Sequence, residues 1–444
     1  MTTDKAATVR IPRRIAQAVL HSLKGGVVPR IGLPYITVGR RKEIEALLHD
    51  VELIGEGGAS FRFIVGKYGS GKSFLLQIIR NYVMDRGFVV VDADLSPERR
   101  LHGNQGQGLA TYRELIRNLS VKSRPEGGAL SLVLDRWINT VQTQVAETIS
   151  PEDPTFGAQV EQQIMTVIRQ MQDLVHGFDF AKLLTMYYRA FLSADDDLKG
   201  KVLKWFRGEY ATKTEARQEL GVTVIIGDDD WYDYLKVLAF FFRQAGYQGL
   251  MVFIDELVNL YKIPNAISRQ YNYEKILTMY NDAMQGKAQY IGTIMSGTPQ
   301  CIEDRHRGIY SYEALRSRLS EGKFSSEGHA DMLAPVIQLQ ALTAEEMTIL
   351  TEKLTDMHAG LYGYERTLTN DDLMEFIRVE YSHIGADTHI TPREVIRDFI
   401  QLLDILYQDK GTTLHDLLQS DAFAYAKPEL EDKPINNQFA EFTL

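Results

Sequence analysis

The chain has 444 residues, enough for one large domain and a smaller one. Its 44% hydrophobic and 24% charged residues exclude a disordered chain, and a formal charge of −10 argues against non-specific nucleic-acid binding by the whole surface. Cys301 is the single cysteine, which excludes an internal disulfide or a thiolate metal cluster and reads as a free buried thiol.

The charge is unevenly spread. Residues 1–42 carry nine basic side chains (Lys5, Arg10, Arg13, Arg14, Lys24, Arg30, Arg40, Arg41, Lys42) against Asp4 alone, a formal +8. Ile11, Ile15, Val19 and Leu20 fall there at helical spacing, so this arm is either a phosphate contact or a solvated helix face. No apolar run reaches eighteen residues, and Met1 to Arg14 is charged where a signal peptide would be apolar. A soluble, cytoplasmic protein with no membrane partner is expected.

Gly25-Gly26 and Pro29 end the first helix. A second helical stretch runs from Val38 through Leu47, Leu48 and Val51 until Gly55 and Gly57-Gly58 break it. Phe61-Arg62-Phe63-Ile64-Val65 has strand length, Phe74 to Val83 reads as a helix, and Phe88-Val89-Val90-Val91 as a second buried strand closed by Asp92. From about 107 to 245 the pattern is helical and rich in aromatics. Strand character returns at Leu250 to Ile254, Tyr290 to Met295 and Pro335 to Leu339. Strands alternating with helices imply a mostly parallel sheet covered on both faces. Thr343-Ala344-Glu345-Glu346 and Thr391-Pro392-Arg393-Glu394 are capping boxes opening later helices. The runs Asp195-Asp196-Asp197 and Asp228-Asp229-Asp230 read as loop or helix-start residues rather than a metal site.

Between the first strand and its helix stands Gly66-Lys67-Tyr68-Gly69-Ser70-Gly71-Lys72-Ser73, the G-x-x-x-x-G-K-[ST] pattern of a phosphate-binding loop. Phosphate oxygens need backbone N–H groups at close range. Glycines permit the positive φ values and close approach, and the helix N-terminus adds positive potential. ATP is the expected ligand, with Lys72 on its β- and γ-phosphates, Ser73 on Mg²⁺, and Phe74 counted among the binding residues. Val252-Phe253-Ile254-Asp255-Glu256 supplies the other half: Asp255 is a second Mg²⁺ group, and Glu256 can orient and deprotonate the attacking water. Lys72 and Asp255 are 183 positions apart, which leaves room for an inserted helical module.

With these pieces together the chain resembles the AAA+ class, in the branch of origin-recognition and replication-initiator ATPases. More closely it resembles the ATP-binding proteins of BREX phage-exclusion systems (BrxD-like). The residues carrying that likeness include Val38-Gly39-Arg40-Arg41, Asp94-Leu95-Ser96-Pro97-Glu98, Ile254-Asp255-Glu256-Leu257-Val258-Asn259-Leu260, Gly308-Ile309-Tyr310-Ser311-Tyr312-Glu313-Ala314-Leu315-Arg316-Ser317-Arg318-Leu319 and Thr391-Pro392-Arg393-Glu394-Val395. The resemblance implies an α/β fold: a P-loop AAA+ domain with a parallel five-stranded sheet, a large helical insertion and a C-terminal helical lid. It divides the chain into a basic N-terminal segment with an adenine-pocket motif (1–60), an ATPase core (61–340) with the insertion at about 107–245, a lid (341–420) and an acidic tail (421–444).

It also implies roles. Val38-Gly39-Arg40 would line the adenine pocket, Ser296 or Thr298 would sense the γ-phosphate, and Arg318, or else Arg316, would be an arginine finger offered to a neighbouring subunit. Arg393 would reach the phosphates from the lid. The implied function is ATP hydrolysis in anti-phage defence, by a homo-oligomer acting on or near DNA through the basic arm, with helicase, methyltransferase or effector partners. The alternative is an ATP-driven signalling scaffold that recruits an effector and touches no nucleic acid.

Overall fold

Short runs of β-branched and aromatic residues, uncharged on both faces, are stable only where helices cover them from both sides. The five such runs form strands β1 (Ala59–Val65), β2 (Val89–Asp94), β3 (Leu250–Asp255), β4 (Ile291–Gly297) and β5 (Val336–Gln338). All pair in parallel, in the order β2-β3-β4-β1-β5. The computed structural model describes residues 11–172, 174–320, 331–382 and 391–419. Lys5 and Arg10 of the basic arm and the acidic tail 421–444 lie outside them.

One face of the sheet is covered by α3 (Arg41–Gly55) and α4 (Lys72–Asp85), which bury Leu47, Val51, Ile54, Leu75, Ile79 and Val83 against Ile64, Val90, Phe253 and Ile294. Arg62 is the charged exception within β1. It is buried but paired with Asp50 at 2.6 and 2.7 Å, the condition on which a buried charge is tolerated.

Helices α5 (Gln107–Arg117), α6 (Leu130–Ala146), α7 (Phe156–Gln172), α8 (Gly177–Leu192), α9 (Asp196–Phe206), α10 (Lys213–Leu220) and α11 (Trp231–Gln244) lie between β2 and β3 in the chain. They share a core with the sheet's other face. The protein's three tryptophans, Trp137, Trp205 and Trp231, are all here and none is more than 1% exposed. The acidic runs are spent on backbone: Asp195 caps α9 through Leu198 N (2.9 Å), and Asp228 accepts from Gly106 N and Leu109 N, both at 2.7 Å. Among the described residues no group of three His, Cys, Asp or Glu is placed to hold a metal ion.

After β3 come α12 (Val258–Tyr261) and α13 (Ala266–Met284), and after β4 come α14 (Pro299–Glu303) and α15 (Glu313–Leu319). Residues 39–341 make up this unit; those up to 38 and from 342 onward form another. The second unit contains α1 (Arg13–Lys24), α2 (Leu33–Ile36), α16 (Ala344–Tyr362), α17 (Asn370–Ser382), α18 (Pro392–Gln408) and α19 (Leu414–Leu418). Both capping boxes are formed, at Thr343 with Glu346 and at Thr391 with Glu394. Helix α1 buries Ala16, Val19 and Leu20 and packs on α16 and α18, while Arg13 and Arg14 stay exposed. Lys24 pairs with Asp404 at 2.5 Å, and Asp404 also holds Nε2 of the buried His358 at 3.1 Å. Among the described residues no helix is long and apolar enough to cross a membrane.

Candidate functional site

Parallel strands open their C-terminal ends on one edge, where the connecting loops converge. Here β1 delivers the glycine-rich loop, β3 delivers Asp255-Glu256, and β4 lies between them as a spacer. The tip of β4 holds both neighbours: Gly66 N donates to Gly297 O (3.1 Å), and Leu257 N donates to Ser296 O (3.1 Å).

The loop is shaped by close approach. A Cβ on Gly66 would collide with Ser70 Oγ, while Gly71, at φ +91°, caps α4 in a left-handed conformation with open space around it. Ser70 Oγ is buried with no hydrogen-bond partner among the described residues. Lys72 Nζ folds back onto the carbonyls of Gly66 and Lys67, both at 2.9 Å, with Tyr68, 60% exposed, placing its ring 5.5 Å away. Lys67 is exposed, Gly69 (φ +73°) sits at the turn, and Phe74 is half-buried in the first turn of α4. An orphaned hydroxyl, an ammonium resting on its own loop and an open left-handed glycine are features that fit a phosphate group.

Ser73 Oγ lies 3.1 Å from Asp255 Oδ2. The other oxygen, Oδ1, accepts from the buried Ser296 hydroxyl and from Glu256 N at 2.7 Å. Of the two sensor candidates, Ser296 therefore touches the acid; Thr298 immediately precedes α14, its carbonyl accepting from Cys301 Sγ at 2.9 Å. Cys301 is a buried free thiol whose pKa burial pushes up. Glu256 is exposed at φ +62°, a conformation costly for a side-chain-bearing residue.

Asp94, which opens the segment Asp94-Leu95-Ser96-Pro97-Glu98, has no site role assigned to it from the sequence. It faces Asp255 across the β2–β3 register, and desolvation at the strand end, then the charges of Asp255, Glu256 and Asp92, push its pKa up. Ser73 and Asp255 are the residues here that could hold a divalent cation, whose charge would offset this crowding of carboxylates.

Arg40, expected at the adenine pocket, makes three contacts within the protein. Its guanidinium donates to Ser70 O at 2.9 Å and Gln340 O at 2.7 Å and pairs with Glu43 at 3.2 Å, so it pins the phosphate loop to the chain beyond β5. Gly39 immediately precedes it at φ +65°. The sequence marks Arg40 within the Val38-Gly39-Arg40 segment, but the tie to the phosphate loop depends on partners 30 and 300 positions away. Arg316 pairs with Glu313 at 3.7 Å, and the exposed Arg318 donates to Ala314 O at 2.7 Å. Val38 and Arg393 belong to the other unit, Arg393 in the first turn of α18 with its Cδ against Gly26.

A phosphate loop, a neighbouring acid pair and a hydroxyl between them describe a site for a nucleoside triphosphate. A comparison with curated proteins returns no match. A family model described as "BREX system ATP-binding protein BrxC/D" matches residues 11–422, and the chain belongs to that family.

Proposed function

We propose that the protein hydrolyses ATP as an AAA+ switch of a BREX-type anti-phage system and works as a homo-oligomer. The observation that carries this reading is the contact of Ser73 with Asp255 at 3.1 Å, with Glu256 one residue further on. Lys72 and the loop amides would hold the phosphates, and Ser73 and Asp255 would hold Mg²⁺, whose chemistry is to screen charge on the phosphate oxygens. Glu256 orients water and takes its proton. Ser296, tied to Asp255, reads the occupied state through the position of that carboxylate.

Arg318, or Arg316 beside it, would serve a neighbouring subunit, Arg393 would act from the lid, and Val38, Gly39 and Arg40 would line the adenine pocket. Arg13 and Arg14, exposed on α1, support contact with DNA phosphates by the arm. Helicase, methyltransferase or effector partners complete the cytoplasmic system.

The test is phosphate release with and without DNA. Arg318→Ala should keep ATP binding and lose oligomer-dependent hydrolysis, and mixing it with Glu256→Gln protein should restore part of the rate at mixed interfaces. A co-assembled mixture as inactive as either parent would remove the finger in trans. A rate unmoved by DNA would favour the scaffold.

A further inference from the structure

The same edge of the sheet carries a cavity of about 500 Å³ beyond the ends of β2 and β3, within the range of small-ligand sites, roughly 300–1,000 Å³. One wall is the loop 100–107 after β2, and the other is the start of α13. The loop is held rigidly. The fully buried Asn272 accepts from Leu101 N (2.9 Å) and His102 N (3.0 Å) and donates to His102 O (3.1 Å). Trp231 Nε1 donates to Leu101 O at 3.0 Å. The cavity is therefore preformed.

Its lining has a definite chemistry. Arg100 presents a guanidinium whose Nε is buried without a hydrogen-bond partner among the described residues. Gln105, Gln107 and Asn265 contribute carboxamides; the oxygens of Gln107 and Asn265 accept from Gln105 N (3.1 Å) and Ser268 N (2.9 Å), which leaves their amide N–H groups as donors. Tyr271 is 48% exposed and leans on His102, with ring centroids 5.1 Å apart. None of the described lining residues is acidic; Asp229 approaches His102 at 3.6 Å and does not line the cavity.

We infer that this cavity holds one nucleotide of a single-stranded nucleic acid. The base stacks on Tyr271, the carboxamides meet its edge, and Arg100 meets the phosphate. A paired duplex base cannot offer its face to the ring without leaving the stack. The segment that leads from β2 toward this loop is tied to β3 and α12: Leu95 N donates to Asp255 O (3.0 Å), and Asn259 Nδ2 donates to Leu95 O (2.8 Å). The inference rests on the reading that the protein works at nucleic acid, and uses neither the N-terminal arm nor the phosphate loop.

The test titrates the full chain with labelled oligothymidylate, its RNA counterpart and a duplex, followed by fluorescence anisotropy. Tyr271→Ala and Arg100→Ala should each weaken single-strand binding at least ~5-fold, while Tyr271→Phe, which keeps the ring, stays within about twofold of wild type. Affinity for a fluorescent ATP analogue and the melting temperature should not change in any of them. Preference for DNA or RNA identifies the source of the strand, with the cavity as its site in either case. Single-strand binding that survives Tyr271→Ala and Arg100→Ala would overturn the inference and leave the nucleic-acid reading standing. Equal losses in Tyr271→Phe and Tyr271→Ala would overturn the stacking. No binding of any nucleic acid by the wild-type chain would overturn both.

Discussion

The sheet edge and the block of helices α5 to α11 use the same amino acids to opposite ends. At the edge, Lys72 rests on its own loop's carbonyls, Ser70 Oγ lacks a partner among the described residues, Glu256 is held at φ +62° and carboxylates crowd together. In the block, Trp205 meets Phe206 and Tyr234 edge-on and donates to Val224 O at 2.8 Å, while Tyr112 donates to Phe206 O, also at 2.8 Å. One region keeps polar groups in costly states that a ligand can relieve. The other buries large rings and contributes stability. Function and stability are therefore separable by mutation.

The largest effect should come from the block. Trp205→Ala should cost about 3–5 kcal/mol in urea unfolding, because a ring 1% exposed leaves a cavity its neighbours cannot fill. A loss under about 1 kcal/mol would break the contrast. Next is Lys72→Ala, expected to weaken ATP binding by about 2–3 kcal/mol, the scale of a charge-assisted contact, while the unfolding midpoint stays put. Unchanged affinity by calorimetry would mean the loop does not hold the phosphates.

The smallest effect sharpens the comparison most. A left-handed Glu256 costs about 1–2 kcal/mol, and glycine's extra chain entropy returns roughly 0.5–1 of that, so Glu256→Gly should stabilise the protein by about 0.5–1 kcal/mol while turnover is lost. A destabilised variant would mean that φ +62° carries no strain.

The edge was largely legible because phosphate chemistry demands particular residues at set spacing. Gly66, Gly71, Lys72, Ser73, Asp255 and Glu256 could be singled out from the sequence as a candidate site, and the five strands lie within a few residues of where apolar runs put them. Both capping boxes formed because their hydrogen bonds are local. What could not be read depends on distant pairings. Arg40 finds Ser70 and Gln340 across 30 and 300 positions, and Asn272 finds Leu101 across 171. The same holds for the packing of α1 on α16 and α18. Ser296 and Thr298 were indistinguishable in sequence, since the register of β4 alone decides which hydroxyl reaches Asp255.

The most direct test is on Glu256→Gln, which keeps the size and the backbone and removes only the base. ATP binding and steady-state phosphate release should be measured on the same preparation of wild type and variant. The expected result is unchanged affinity with turnover lowered at least ~10²-fold. Turnover within threefold of wild type would contradict hydrolysis at this edge.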